Sequence, residues 1–143
     1  MITFSKDMEI GVAKIDEQHK ELIDRINAIT SMGSKCLSKD ETQKTLDLLG
    51  KYVVEHFGDE EALQKECNYP KYERHKAIHQ FFVDDFVKLK EEFAKHVASY
   101  QSYNDDLFNF TIELNNRIIS WIVRHIKNED VDFGKYYASV REK

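Results

Sequence analysis

The chain has 143 residues, enough for one domain with a sizeable core and too few for two ordinary domains. Its 21 Lys and Arg residues against 26 Asp and Glu residues give a net charge of −5, which argues against a nucleic-acid binder, since such proteins need a basic surface. No run approaches the roughly 18 apolar residues of a membrane span, and the first ten residues lack the apolar core of a secretory signal. We therefore expect a cytoplasmic protein without membrane contact.

Apolar residues recur at three- and four-residue spacing in four stretches, which predicts four amphipathic helices. In chain order, the predicted starts are Asp16, an S-x-x-E capping box at Ser38, Pro70 and an N-cap at Asn104. The first helix should stop at Gly33, and the second near Cys67. The polar segment from Ser99 to Asp106 is predicted to be an extended loop. An arm of about 15 residues precedes the first helix, and the tail from Val131 to Lys143 can form a short helix.

The four predicted helices, of about 17 to 28 residues each, are joined by short loops and should therefore pack as antiparallel neighbours. The predicted fold is therefore all-α: an up-down-up-down four-helix bundle with an N-terminal arm and a short C-terminal helix. Gly and Pro together account for only 6 of the 143 residues, which also favours long helices over a turn-rich β-sandwich. We expect residues 1–143 to form a single domain.

Five of the six histidines lie on the predicted core faces of the helices. They are His19, His56, His75, His79 and His125. In an up-down-up-down bundle, all five fall near the same end, because each is close to the start of an odd-numbered helix or the end of an even-numbered one. Glu60 shares the core face of His56, and Asp130 follows His125 by five residues, where the fourth helix should close. The sequence thus predicts one layer that contains five imidazoles and the Glu60 carboxylate, and Asp130 can cover this layer from outside.

A single buried histidine is more often a core residue with ordinary hydrogen bonds than a metal ligand. Five imidazoles and two carboxylates without cationic partners would cost several kcal/mol each if they were buried unpaired. Divalent cations remove this cost, since both groups ligate them. Seven donors are too many for one ion and suit two. If both carboxylates and one oxide or hydroxide bridge two octahedral ions, one coordination position stays open for a small molecule.

Four motifs carry a family resemblance. They are His19 within IDEQHKEL, H-F-x-x-E-E from His56 to Glu61, H-x-x-x-H from His75 to His79, and W-x-x-x-H-I-x-x-x-D from Trp121 to Asp130. This pattern resembles the hemerythrin family, especially its bacterial members, over almost the whole chain. The resemblance implies a hemerythrin-like domain that binds O2 reversibly at two iron ions joined by a bridging oxide or hydroxide. It assigns His75, His79 and His125 to one iron, His19 and His56 to the iron with the open position, and Glu60 and Asp130 to both.

The layer one turn deeper in the predicted core is apolar. Its residues are Leu22, Val53, Phe82 and Ile122, with Phe57 nearby. We predict that these five side chains form the wall of the O2 pocket, because reversible binding needs a site without water. The alternative is that they are simply core residues, and both interpretations can hold together.

Three functions are compatible with this site. Reversible O2 binding for storage, delivery or sensing is favoured over an enzyme, because the core faces supply no acid-base residue beyond the predicted ligands. Tyr72 is the one tyrosine on the core faces that carry the predicted ligands. It lies nearer the iron without an open coordination position, which suggests a packing role. The alternatives are a di-iron enzyme that reduces peroxide or nitric oxide, and a metal-handling protein that holds iron or zinc. We expect a monomer, and leave open a partner protein or reductase.

Overall fold

The structure is a computed structural model that describes the backbone of residues 2–34, 39–99 and 105–141. A short 3-10 helix, Lys6–Met8, lies in the N-terminal arm. The helices that follow are α1 (Ala13–Ser34), α2 (Lys39–Glu66), α3 (Tyr72–Ser99), α4 (Asp105–His125), a π-helical segment (Ile126–Asp130) and α5 (Val131–Arg141). These described ranges contain no strand.

The four long helices form the predicted antiparallel bundle. α1 packs against α2 and α4, and α3 packs against the same two helices, so the helices follow one another around the core in chain order. The core contains the three- and four-spaced apolar residues, including Leu22, Ile26, Val53, Phe82 and Ile122. The predicted up-down-up-down fold with a C-terminal helix is confirmed. No helix within the described ranges has the length and apolar character that crossing a membrane requires.

Two predicted helix boundaries differ from the structure. α1 begins at Ala13 and not at Asp16, since the Asp16 carboxylate accepts hydrogen bonds from the backbone amides of Ile10 (2.9 Å) and Gly11 (3.2 Å) and so secures the first turn to the arm. α3 begins at Tyr72 and not at Pro70, which lies within a turn that the backbone hydrogen bond from Tyr72 to the Tyr69 carbonyl closes.

Several sequence predictions fall wholly or partly outside the described residues. The capping box at Ser38 and the N-cap at Asn104 are among them. The predicted loop from Ser99 to Asp106 is too long at both ends, because Ser99 still belongs to α3 and Asp105 begins α4. α1 also continues one residue beyond Gly33, its predicted stop.

A second apolar cluster covers the end of the bundle at which the predicted ligands lie. This cap cluster consists of Ile10, Ile15, Tyr69 and Phe133, all buried. The arm contacts α5 directly here. A Cβ atom at Gly134 would lie 2.4 Å from the Ile10 carbonyl oxygen, so the contact requires glycine. The arm and α5 together therefore close this end of the bundle.

Candidate metal centre

Seven buried histidine and carboxylate side chains meet at this end of the bundle. Each of the four long helices supplies at least one of them, and the π-helical segment supplies the last. They are His19, His56, Glu60, His75, His79, His125 and Asp130, and none is more than 4% exposed. The structure thus brings together all seven residues that the sequence predicts as ligands.

Glu60 lies among four of the histidines, and its two oxygens face different pairs. Its Oε1 lies 2.6 Å from Nε2 of His75 and 3.3 Å from Nε2 of His79. Its Oε2 lies 3.6 Å from Nε2 of His19 and 3.5 Å from Nε2 of His56. A carboxylate with one oxygen toward each pair has the arrangement of a ligand that bridges two ions.

Asp130 divides its oxygens in the same way. Its Oδ1 lies 3.0 Å from Nε2 of His75 and 3.2 Å from Nε2 of His125. Its Oδ2 lies 3.1 Å from Nε2 of His19. Both carboxylates therefore face both sides of the cluster, and the imidazoles direct Nε2 toward them.

Asp130 reaches the cluster because the chain leaves α-helical geometry directly after His125. In an α-helix, residues three and four apart share a face, whereas residues five apart do not. The segment Ile126–Asp130 is a π-helix, whose wider i→i+5 turn brings residues five apart onto one face. Asp130 is consequently fully buried, and the sequence-based expectation that it covers the layer from outside is wrong.

The donor atoms form two groups, and within each group they all lie within 4.8 Å of one another. One group consists of Glu60, His75, His79, His125 and Asp130, and the other of His19, His56, Glu60 and Asp130. Only the two carboxylates belong to both groups. The grouping follows the division of histidines that the family resemblance implies, three on one side and two on the other.

The cluster also passes a test of fit for metal ions. Among the described residues, both ring nitrogens of His19, Oε2 of Glu60 and both oxygens of Asp130 are buried without a hydrogen-bond partner. Buried polar atoms are normally satisfied, and a site for a metal ion is one recognised reason for an exception. Imidazole nitrogen and carboxylate oxygen are donors that iron and zinc accept. The cluster is therefore able to hold metal.

The pKa values show how the residues balance charge without metal. Burial lowers the pKa of His19, but the two buried carboxylates close to its ring outweigh this effect and raise the pKa to about 9. The same balance raises the pKa of His75 to about 9 and that of His125 to about 10. At His56 burial dominates and lowers the pKa to about 4. Protons on His19, His75 and His125 thus offset the carboxylates, and divalent cations can replace those protons.

Three groups behind the histidines were not predicted from the sequence. Nδ1 of His79 lies 3.0 Å from the Glu61 carboxylate, and Nδ1 of His125 lies 3.5 Å from the Glu129 carboxylate. The third group is the Gln18 side chain, which contacts His56. Glu61 and Glu129 each adjoin a predicted carboxylate ligand in the sequence, and these acidic pairs are the signal that could have identified them.

Two aromatic rings pack flat against ligand imidazoles. Phe57 stacks on His79 with centroids 3.8 Å apart, and Trp121 stacks on His125 at 4.7 Å. Phe57 also belongs to the buried apolar layer next to the cluster. The other members of that layer are Leu22, Val53, Phe82 and Ile122, all at most 4% exposed. The five side chains predicted to line an O2 pocket thus form part of one continuous core cluster.

Comparisons with known proteins agree with this geometry. Residues 10–136 match the family model of the hemerythrin HHE cation binding domain. A bacteriohemerythrin of Methylococcus capsulatus is 30% identical over 87% of this chain and 86% of its own length. One of Clostridium acetobutylicum is 26% identical over 93% of this chain and 98% of its own length. A solved structure of wild-type hemerythrin is similar to this chain with a TM-score of 0.74 and 27% sequence identity. The match covers 94% of this chain and 96% of the hemerythrin chain.

The fold and the cluster define a helical-bundle protein with a two-ion metal centre. The chain belongs to the hemerythrin family. Members of this family bind O2 at a di-iron centre and are not enzymes. The predictions of a di-iron cofactor and of a non-enzyme are confirmed at this level.

Proposed function

We propose that this chain binds O2 reversibly at a di-iron centre, for oxygen storage, delivery or sensing, and that residues 1–143 form one hemerythrin-like domain. The observation that carries this proposal is the division of seven donors into two groups that share Glu60 and Asp130. Iron ions at the two positions supply the electrons that O2 takes up on binding and returns on release. The role of the chain is to hold the ions, leave one position open and exclude water.

The donor groups suggest which residues hold each ion. His75, His79 and His125 would bind one ion, and His19 and His56 the other, with one oxygen of each carboxylate toward each ion. With a bridging oxide or hydroxide, the three-histidine ion would have six ligands. The two-histidine ion would have five, which would leave its sixth position free for O2.

The apolar layer supports binding over turnover. Leu22, Val53, Phe57, Phe82 and Ile122 present only hydrocarbon. Phe57 stacks on His79, and Phe82 packs edge-on against Phe57. An apolar wall keeps water and proton donors away from the open position, so that O2 can leave unchanged. Tyr72, the one phenol among the predicted core residues of α3, packs against the cap cluster and not against this layer.

The test is one anaerobic cycle on the reduced protein. We expect two irons per chain, and a visible charge-transfer band that appears when O2 is admitted and disappears when it is removed. His75→Ala should lose iron and the band, whereas His96→Ala, a change of the one histidine that the sequence does not predict as a ligand, should keep both. A band that decays irreversibly would favour peroxide or nitric oxide reduction, and fewer than two metals per wild-type chain would contradict the two-ion site.

A further inference from the structure

The two sides of the centre differ in what lies behind their imidazoles. On the three-histidine side, His79 and His125 have carboxylates at Nδ1. On the two-histidine side, Nδ1 of His56 lies 2.8 Å from Oε1 of the Gln18 side chain, which is a neutral amide. The group behind a ligand histidine fixes its tautomer and its basicity. The Gln18 contact therefore bears directly on how His56 can bind an ion.

Asp59 determines which way the Gln18 amide points. Nε2 of Gln18 donates a hydrogen bond of 2.7 Å to Oδ2 of Asp59. An ionised carboxylate only accepts hydrogen bonds, so the NH2 group of Gln18 must face Asp59 and its carbonyl oxygen must face His56. A carbonyl oxygen in turn only accepts. His56 must therefore carry its proton on Nδ1, which leaves the lone pair of Nε2 directed at Glu60, 3.5 Å away.

The two positioning residues lie on different helices and are tied together at the surface. Gln18 is on α1 next to His19, and Asp59 is on α2 next to Glu60. Lys14 approaches Asp59 at 3.7 Å, and its side chain is 70% exposed. The contact between Gln18 and Asp59 thus joins α1 to α2 beside the two-histidine group.

We propose that Gln18, oriented by Asp59, is a positioning residue that selects the metal-binding tautomer of His56 and thereby sets the affinity of the two-histidine ion. The proposal rests on the two-ion site of the proposed function. It also predicts the order of the two affinities. The two-histidine ion has fewer nitrogen ligands and a neutral group behind His56, so it should be the weaker of the two sites.

Zinc binding tests this proposal without any use of O2. Two affinities are measured by competition with a chelator, in the full chain, for wild type, Gln18→Met and Asp59→Asn. Gln18→Met removes the acceptor at similar side-chain length and should weaken the second, weaker Zn(II) by 10- to 100-fold while the first is unchanged. Asp59→Asn should produce a smaller loss at the same ion, because an asparagine also offers an acceptor and no longer fixes the orientation of Gln18.

A matched control lies on the same helix as His56. Gln43 donates to Asp47 across 3.3 Å, just as Gln18 donates to Asp59, but it lies 13 residues before His56, about 20 Å along α2. Gln43→Met should leave both zinc affinities unchanged. Helix content measured by circular dichroism establishes that each variant is folded. If Gln18→Met does not fold, the zinc affinities of Asp59→Asn test the proposal.

The tautomer itself is a second readout. In the metal-free full chain, where no ion holds Nε2, nitrogen NMR of the imidazoles should show His56 protonated at Nδ1, and Gln18→Met should weaken or abolish that signature. Equal losses at both zinc ions, or no loss at either, would overturn the proposal. If zinc binds as expected but the O2 cycle fails, only the proposed function is contradicted.

Discussion

Gly134 offers a quantitative test of how the arm closes the bundle. A Cβ at this position would lie 2.4 Å from the Ile10 carbonyl oxygen, 2.7 Å from its Cβ and 2.8 Å from its Cα. These separations are far inside the usual contact distance of about 3.5 Å, and two of the atoms are backbone, so the arm itself must move. We expect Gly134→Ala to cost about 3 kcal/mol in strain and to regain about 1 kcal/mol in helix propensity. The net loss of about 2 kcal/mol would lower Tm by roughly 4–8 °C.

The assay is urea unfolding of the metal-free protein, followed by far-UV circular dichroism. Gly58→Ala is the matched control, because Gly58 lies within α2 and has no atom within 4 Å of a new Cβ. This control should gain about 0.5–1 kcal/mol from helix propensity alone. If Gly134→Ala were as stable as wild type while Gly58→Ala showed its gain, the close contact of α5 with the arm would be refuted.

Three further predictions concern the interior. Gln64 is fully buried, and neither of its amide atoms has a hydrogen-bond partner among the described residues. Gln64→Met should therefore stabilise the metal-free protein by about 1–2 kcal/mol in urea unfolding. A loss of stability would show that the amide does have hydrogen-bond partners. Ile122→Asn should accelerate autoxidation of the iron-loaded protein several-fold by admitting water, and an unchanged rate would contradict the pocket assignment. The raised pKa values of His19, His75 and His125 stabilise the metal-free fold fully below their ordinary value of 6.5, and this contribution is lost as the pH rises through about 9. The Tm of the metal-free protein should therefore fall between pH 7 and 9, whereas zinc, which replaces those protons, should hold the Tm of the loaded protein nearly level.

The bundle and the seven-residue cluster were predictable from the sequence because helical periodicity determines which residues face the core. His75 and His79, four residues apart, necessarily share one face of α3. The up-down order then places the end of α2 beside the start of α3, so that Glu60 meets both. These predictions depend only on residue spacing and chain direction, and they require no knowledge of side-chain rotamers.

Features that depart from helical periodicity or depend on side-chain orientation could not be predicted in this way. The π-helical turn before Asp130 has no signal in a pattern of threes and fours, so the sequence identifies Asp130 as a ligand but places it outside the layer that it in fact belongs to. Gln18 was missed because its role depends on which way an amide points, and that orientation is set by Asp59, 41 residues away. The start of α1 was predicted at Asp16 and not at Ala13, because Asp16 bonds to the arm and does not cap the helix.

The π-helical segment has a consequence for the lengths that this chain can tolerate. Each residue added to or removed from a helix rotates everything beyond it by about 100°. An insertion within Ile126–Asp130 would therefore turn Asp130 out of the cluster and rotate α5 away from the arm in the same step, whereas a one-residue deletion would leave the carboxylate four residues after His125, on the same face of a regular α-helix. α3 ends at Ser99 and α4 begins at Asp105, at the opposite end of the bundle from the cluster. Residues inserted between these two helices would lie within neither of them, so they would not rotate a ligand about a helix axis.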